Sequence, residues 1–317
     1  MVTFLLTFLI ALILTILLTP MVRSFAPEIG ALDKPSQRKV HHTVIPRTGG
    51  IAIYFGFLVA VLFGLLIGQA SGTIINPKPI LGILFGGSIV LIIGLLDDIY
   101  RLRPLFKLTA QLIGAAIAIY FGVEINFVSN PFNGLMPLGL VAIPLTLLWL
   151  VGMTNSVNLI DGLDGLASGV TAISAGTLFF VALRTHQLGA ALIMIALAGA
   201  AIGFLRYNFN PASVFLGDSG SYFLGFTLAA ASIIGVFKTT LVVALIVPIL
   251  ILGVPIFDTT FAILRRIRDK KSPFAADDKH IHHLLLRAGL NQREAVMSIY
   301  IACFILSAIA LVMAYQR

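Results

Sequence analysis

Charge is scarce in this chain. Only 11% of its 317 residues are Asp, Glu, Lys or Arg, against 59% hydrophobic. A soluble domain carries about a quarter charged residues, so an ordinary water-soluble enzyme is excluded. Cysteine is almost absent. Cys303 stands alone in the last apolar run, so no internal disulfide can form and the thiol reads as a packing residue. No phosphate-binding Gly-Lys loop, no GxGxxG and no GxSxG stands where a strand–turn–helix could hold it. Internal repeats and low-complexity segments are missing too. Any chemistry must be assembled from loops between helices.

What is present is apolar run after apolar run, with a mean hydropathy of +1.04. The reading is all-α: a polytopic integral membrane protein, one unit over 1–317, with about ten transmembrane helices around a cytoplasmic-facing cleft. The spans fall near 1–22, 50–68, 80–96, 108–122, 138–154, 163–183, 189–205, 220–236, 239–264 and 295–315. About 20 apolar residues suffice to cross a bilayer. The first run has no basic residue before it and Arg23 after it, which favours an uncleaved helix over a signal peptide. Asn291 is placed to cap the last helix.

Orientation follows from Lys and Arg. The loops after spans one, three, five, seven and nine hold 17 of the 21 cations, and only Lys78, Arg184, Lys238 and Arg317 lie opposite. The rich side is cytoplasmic and both termini are outside. Of 13 carboxylates only Glu124 clearly falls outside, and five of six histidines are inside. The positive-inside bias says little about acids, so their clustering is separate information. The net charge of +8 fits basic loops at an acidic lipid surface better than nucleic acid.

Four polar groups recur every three residues in Asn155-Ser156-Val157-Asn158-Leu159-Ile160-Asp161-Gly162-Leu163-Asp164-Gly165. At a helix centre in a bilayer an Asp costs about 2.5–3.5 kcal/mol. A polar turn with Asn and Asp caps explains one or two of the four. The spacing puts Asn158, Asp161 and Asp164 on about one helical face as oxygen ligands. Asp97-Asp98 closes the apolar run Ile80 to Leu96. Headgroup water could hold that end, but the helix dipole disfavours acids at a C-terminus. A hard divalent cation would relieve the pair.

Asp218 sits in Phe215-Leu216-Gly217-Asp218-Ser219-Gly220, where an N-cap is an equal alternative. Phe215 is either an interfacial anchor or a stacking plate for a base. His280-Ile281-His282-His283 lies in a loop with Arg265, Arg266, Arg268, Lys270 and Lys271. Zinc is one reading of three imidazoles, but the surrounding cations suit a phosphate better. Asp258, seven residues before Arg265, serves catalysis or an arginine pair. Carboxylates for a metal, cations for phosphates and an aromatic for a base point to nucleotide diphosphate chemistry at a membrane surface.

With Asp97-Asp98, Asn155-x-x-Asn158-x-x-Asp161-Gly162-x-Asp164-Gly165, Phe215-x-Gly217-Asp218 and the histidine loop, the chain resembles the polyprenyl-phosphate N-acetylhexosamine-1-phosphate transferases from about residue 30 to 290. His280-Ile281-His282-His283 and Asp33-x-Pro35-x-x-Arg38-Lys39-x-His41 look like the branch that uses UDP-N-acetylglucosamine (UDP-GlcNAc), a relative of the muramoyl-pentapeptide transferases. That branch initiates O-antigen, enterobacterial common antigen, teichoic acid or related glycans. The resemblance implies ten helices, often a homodimer, in a bacterial inner membrane. It also implies that UDP-GlcNAc and undecaprenyl phosphate give undecaprenyl-diphospho-GlcNAc and UMP with Mg²⁺, Mn²⁺ being the alternative ion. UDP-GalNAc and UDP-MurNAc-pentapeptide are the alternative donors.

By position, Asp218 and Asn158 are implied metal ligands, and Asp97, with Asp98 beside it, the implied base toward the lipid phosphate. Asp161 and His283 join them as implied catalytic residues. Lys107, Asn155, Asp164, Phe215, Arg265, Arg266, His280 and His282 are implied to bind substrate. An ion-coupled secondary transporter is the competing class. It would place acids near the midplane in broken helices and repeats. A non-catalytic lipid-binding scaffold is the third reading, and it gives paired aspartates no purpose.

Overall fold

The computed structural model describes residues 1–33, 44–70, 75–130, 134–235, 243–270 and 280–315. The basic first-loop segment with Arg38, Lys39 and His41 lies outside them, as does 271–279 in the histidine loop. In chain order the helices are α1 (Val2–Ile29), α2 (Gly49–Ala70), α3 (Pro77–Tyr100), α4 (Pro104–Tyr120), α5 (Ala142–Ile160), α6 (Leu166–Arg184), α7 (Leu188–Asn208), α8 (Gly217–Gly235), α9 (Val243–Ile251), α10 (Gly253–Arg268), α11 (Ile281–Arg287) and α12 (Gln292–Tyr315). Two small antiparallel ladders accompany them. β1 (Leu32–Asp33) pairs with β2 (Ile45–Pro46), and β3 (Phe127–Asn130) pairs with β4 (Gly134–Pro137).

The protein is an all-α multi-pass membrane protein. Seven helices among the described residues are long and apolar enough to cross a bilayer: α1, α2, α3, α5 with the turn before it, α6, α7 and α12. Three of the ten expected spans are not among these seven, the eighth being α8. The fourth is the 17-residue α4. The ninth is two helices, α9 and α10, meeting at Leu252. Pro255 explains that break, because it has no N–H to offer the Ile251 carbonyl.

Helix α8 is the axis of the bundle. Every residue in it except Asp218 is buried, and α3, α5, α2, α7 and α6 pack around it. Helix α1 shows how the periphery is built. Phe4, Thr7, Ala11, Thr15 and Thr19 form a mostly small stripe turned inward, while Leu5, Leu9, Ile13, Leu17 and Met21 are exposed on the other side. Small residues let helix backbones close up in lipid, where burial of apolar surface gives no drive. Asn291 caps α12 as its sequence suggested: its side chain accepts from the Glu294 N–H (3.0 Å), and Glu294 returns a bond to the Asn291 N–H (2.8 Å).

Candidate active site

The acidic pair at the end of α3 divides into two environments. Asp98 turns inward, its side chain fully enclosed. It accepts from the backbone N–H of Asp218 (2.9 Å) and of Ser219 (3.0 Å), and from the Ser219 hydroxyl (3.0 Å). These are orphan donors of the first turn of α8, so Asp98 caps that helix from another element. Gly217 makes the approach feasible. Its φ is +75°, and a methyl group there would lie 2.6 Å from the Asp98 carboxylate. Asp97 instead faces α4, accepting from Lys107 Nζ (2.8 Å) and the Leu102 N–H (2.7 Å).

Clamped in this way, Asp218 is brought against Asp97, and their carboxyls lie within hydrogen-bonding reach. Asn158, near the end of α5, donates to Asp218 Oδ1 (2.8 Å) and Ser221 Oγ (2.8 Å). Two carboxylates cannot approach so closely unless a proton or a cation lies between them. Among the described residues no group of three His, Cys, Asp or Glu forms a ready metal cage. The donor set is two carboxylates and an amide, which suits a hard cation that takes its other ligands from phosphates and water.

Helix α5 stops at Ile160, not beyond Asp164. Asp161 is its C-cap residue, and residues 161–165 form a turn, so Asn158, Asp161 and Asp164 do not share one helical face. Each has its own surroundings. Asp161 is electrostatically coupled to Arg47, Asp98 and Asp164; its removal from water pushes its carboxyl up to about 7, Arg47 opposing and the two acids adding to the rise. Asp164 accepts from Asn210 Nδ2 (3.1 Å) and the Ala212 N–H (2.9 Å), which ties the α7–α8 loop to this turn. Asn155 pairs with Gln111 of α4 (2.7 Å).

The histidine loop meets the same turn. His282 is buried against Gly162, where any side chain would strike its imidazole. Burial holds His282 down at about 4, with His283 and His280 pushing the same way and Asp258 opposing. Its Nδ1 has no hydrogen-bond partner among the described residues. His280 stacks on it (5.8 Å, 5° between planes), and His283 packs obliquely at 4.3 Å. Beyond them Asp258 and Arg265 line a cavity of about 630 Å³ with Arg268 and the apolar Val254, Phe257, Phe261, Leu264, Ile281, Leu284 and Leu306. Arg266 is buried in the last turn of α10.

Phe215 is half-buried. Its N–H donates to the Pro46 carbonyl (2.8 Å) and its own carbonyl accepts from the Gly49 N–H (3.1 Å), joining the first loop to the turn before α8.

Several participants were missed from sequence. Arg47 lies 3.4 Å from Asp33 and 3.8 Å from Asp98. Its position in the first polar loop was the only signal. Ser219, Ser221, Gln111 and Asn210 carried none, since only the fold sets them beside acids and amides.

Comparison with known proteins finds relatives along most of the chain. The sequence profile of glycosyl transferase family 4 matches residues 80–236, the stretch from α3 to the end of α8. The chain is 43% identical to a probable undecaprenyl-phosphate N-acetylglucosaminyl 1-phosphate transferase of Bacillus subtilis (strain 168), over 93% of this chain and 80% of that protein. The chain belongs to glycosyl transferase family 4. Within the family it is also 35% identical to a decaprenyl-phosphate N-acetylglucosaminephosphotransferase of Mycobacterium tuberculosis (strain ATCC 25618 / H37Rv), over 89% of this chain and 76% of the relative. An Escherichia coli (strain K12) undecaprenyl-phosphate alpha-N-acetylglucosaminyl 1-phosphate transferase is 29% identical over 93% and 80%. The family profile covers Asp97, Asp98, Lys107, Asn158, Asp161 and Asp218 but ends before the histidine loop.

Proposed function

We propose that the chain transfers GlcNAc-1-phosphate from UDP-GlcNAc to undecaprenyl phosphate, giving undecaprenyl-diphospho-GlcNAc and UMP, as the first membrane step of a cell-surface glycan pathway. The observation that carries this is the meeting of Asp97, from α3, with Asp218, from α8, beside Asn158 and Lys107. Two facing acids that share one lysine leave negative charge to be met by a cation, and so form a site for a metal-bound diphosphate. The names of the curated relatives support the same donor and acceptor.

The site residues come from the loops that follow α1, α3, α5, α7 and α10, together with the helix ends beside them. With α4, α8 and the broken α9–α10 counted as spans, these loops share one face. The excess of Lys and Arg makes that face cytoplasmic, where a sugar nucleotide would be met. The whole chain acts as one unit in a bacterial inner membrane.

Asp218 and Asn158 would hold Mg²⁺ against the diphosphate. Bound there, the ion would neutralise phosphate charge as a Lewis acid. Lys107 adds a second positive charge at the diphosphate. Asp97 takes the proton from the lipid phosphate. The freed oxygen then forms a bond to the sugar-bearing phosphorus while the bond to the bridging oxygen breaks, and UMP departs with that oxygen. Asp98 touches no substrate in this scheme; it fixes the backbone that presents Asp218. The groove with Arg265 and Arg268 at an apolar wall has the chemistry of a lipid phosphate on a hydrocarbon chain. Phe215 stacks on uracil, and His282 and His283 line the sugar side.

The test is UMP release by purified protein with UDP-GlcNAc, undecaprenyl phosphate and Mg²⁺, UDP-GalNAc and UDP-MurNAc-pentapeptide being run in parallel. Asp97→Asn and Asp218→Asn should abolish release while the protein stays folded. Near-normal turnover in either variant removes that residue from its role.

A further inference from the structure

The proposed transfer leaves Asp258 without a task, yet both oxygens of its carboxylate are committed. Oδ2 lies 2.7 Å from His280 Nδ1, and Oδ1 accepts the Ile281 N–H at 2.8 Å. Both side chains are only 6% exposed. Ile281 opens α11, and His280, its N-cap residue, supplies no side-chain cap bond. A carboxylate from α10 does that work instead, at the helix end where an anion is favoured. With Nδ1 engaged by Asp258, Nε2 is the ring nitrogen of His280 left for a ligand. His280 is stacked flat on His282, and His282 rests on Gly162 beside Asp161.

We infer that Asp258 is a positioning residue for the transfer: through His280 it fixes the orientation and tautomer of the imidazole, leaving Nε2 to accept from a hydroxyl of the substrate sugar, and it holds the histidine loop against the Asp161–Gly165 turn. It acts on the substrate only through His280, and the inference rests on the function proposed above. A carboxylate that serves a histidine in this way matters through the ring it holds, so its loss and the loss of that ring should not add.

The experiment uses the full chain in detergent with UDP-GlcNAc, undecaprenyl phosphate and Mg²⁺. It compares Asp258→Asn, His280→Ala and the double variant. In Asp258→Asn the amide oxygen still accepts from Ile281, but the amide nitrogen donates to His280 Nδ1 and imposes the opposite tautomer. Turnover should fall by on the order of 10–100-fold, with little change in melting temperature, because both hydrogen bonds persist. The double variant should be no slower than His280→Ala. Losses that multiply, or turnover of Asp258→Asn within about threefold of wild type, overturn the inference. So does a lowered melting temperature with turnover per folded molecule intact, the signature of a purely structural tie. Should the amide variant not fold, Asp258→Glu is carried through the same cycle, and multiplying losses overturn the inference there too. Wild-type protein that releases no UMP overturns the proposed function itself, an outcome distinct from an active wild type indifferent to Asp258.

Discussion

Asp98→Asn separates a clamp from a catalyst. The Asp98 side chain is fully enclosed, and its three donors are the backbone N–H groups of Asp218 and Ser219 and the Ser219 hydroxyl. The variant keeps the shape but has one acceptor oxygen. Set with its amide nitrogen at the Oδ1 position, it still receives both Ser219 bonds and leaves the Asp218 N–H facing another donor. The reverse setting orphans two donors, so the first is preferred. An unsatisfied buried N–H costs about 1–3 kcal/mol. The Asp98 charge also attracts Arg47 at 3.8 Å, and that attraction is lost. A neutral amide is easier to bury than a carboxylate, which offsets part of the cost. The net expectation is a destabilisation of about 2 kcal/mol, with turnover lowered because Asp218 is no longer held. Thermal unfolding in detergent, followed by circular dichroism, and UMP release are measured on the same sample. If stability is unchanged while turnover disappears, Asp98 acts on substrate and the clamp is wrong. If both are unchanged, its bonds to α8 do not matter.

Gly162→Ala drives a methyl into the His282 imidazole and should cost about 1–3 kcal/mol as overpacking, with weaker binding of UDP-GlcNAc by calorimetry; unchanged binding would detach the histidine loop from the site. Lys107→Met removes the cation beside Asp97 and should slow UMP release by about 100-fold, whereas a change under threefold would exclude it from the diphosphate. His282, buried and held at about 4, is neutral in the folded chain where the unfolded chain binds a proton. Its contribution is fully present above about pH 6.5, the ordinary histidine value, and is lost as pH falls to about 4, a span worth about 3 kcal/mol. Melting temperatures from pH 7 to pH 4 should therefore drop less in His282→Gln than in wild type, and parallel curves would contradict the burial.

The helices were legible because lipid demands long apolar runs, and most boundaries fall within a few residues of the reading. The ninth span was not, because an apolar run of 26 residues, 239 to 264, hides the Pro255 that divides it. The small ladder between Leu32–Asp33 and Ile45–Pro46 was invisible too, being two residues on each side. Residue types announced the acids of the site, but not their division of labour. Nothing in Asp97-Asp98 says that one carboxylate faces a lysine and the other a helix N-terminus; that follows from the 100° between neighbours on α3 and from what packs on each side. Three-residue spacing suggested a continuous helical face for Asn158, Asp161 and Asp164, and the turn after Ile160 removed it. The sequence offers Asp258 an arginine seven residues on, whereas its partner in the fold is His280, 22 positions away.

The fate of one phosphorus decides whether the proposed transfer occurs. UDP-GlcNAc labelled at the phosphate next to the sugar, incubated with the protein, Mg²⁺ and undecaprenyl phosphate, should pass its label to the lipid fraction, with one UMP released for each labelled lipid and no transfer in Asp218→Asn. Label left behind in UDP, or lipid labelled equally well by Asp218→Asn, would contradict the convergence of Asp97, Asn158 and Asp218 on a metal-held diphosphate.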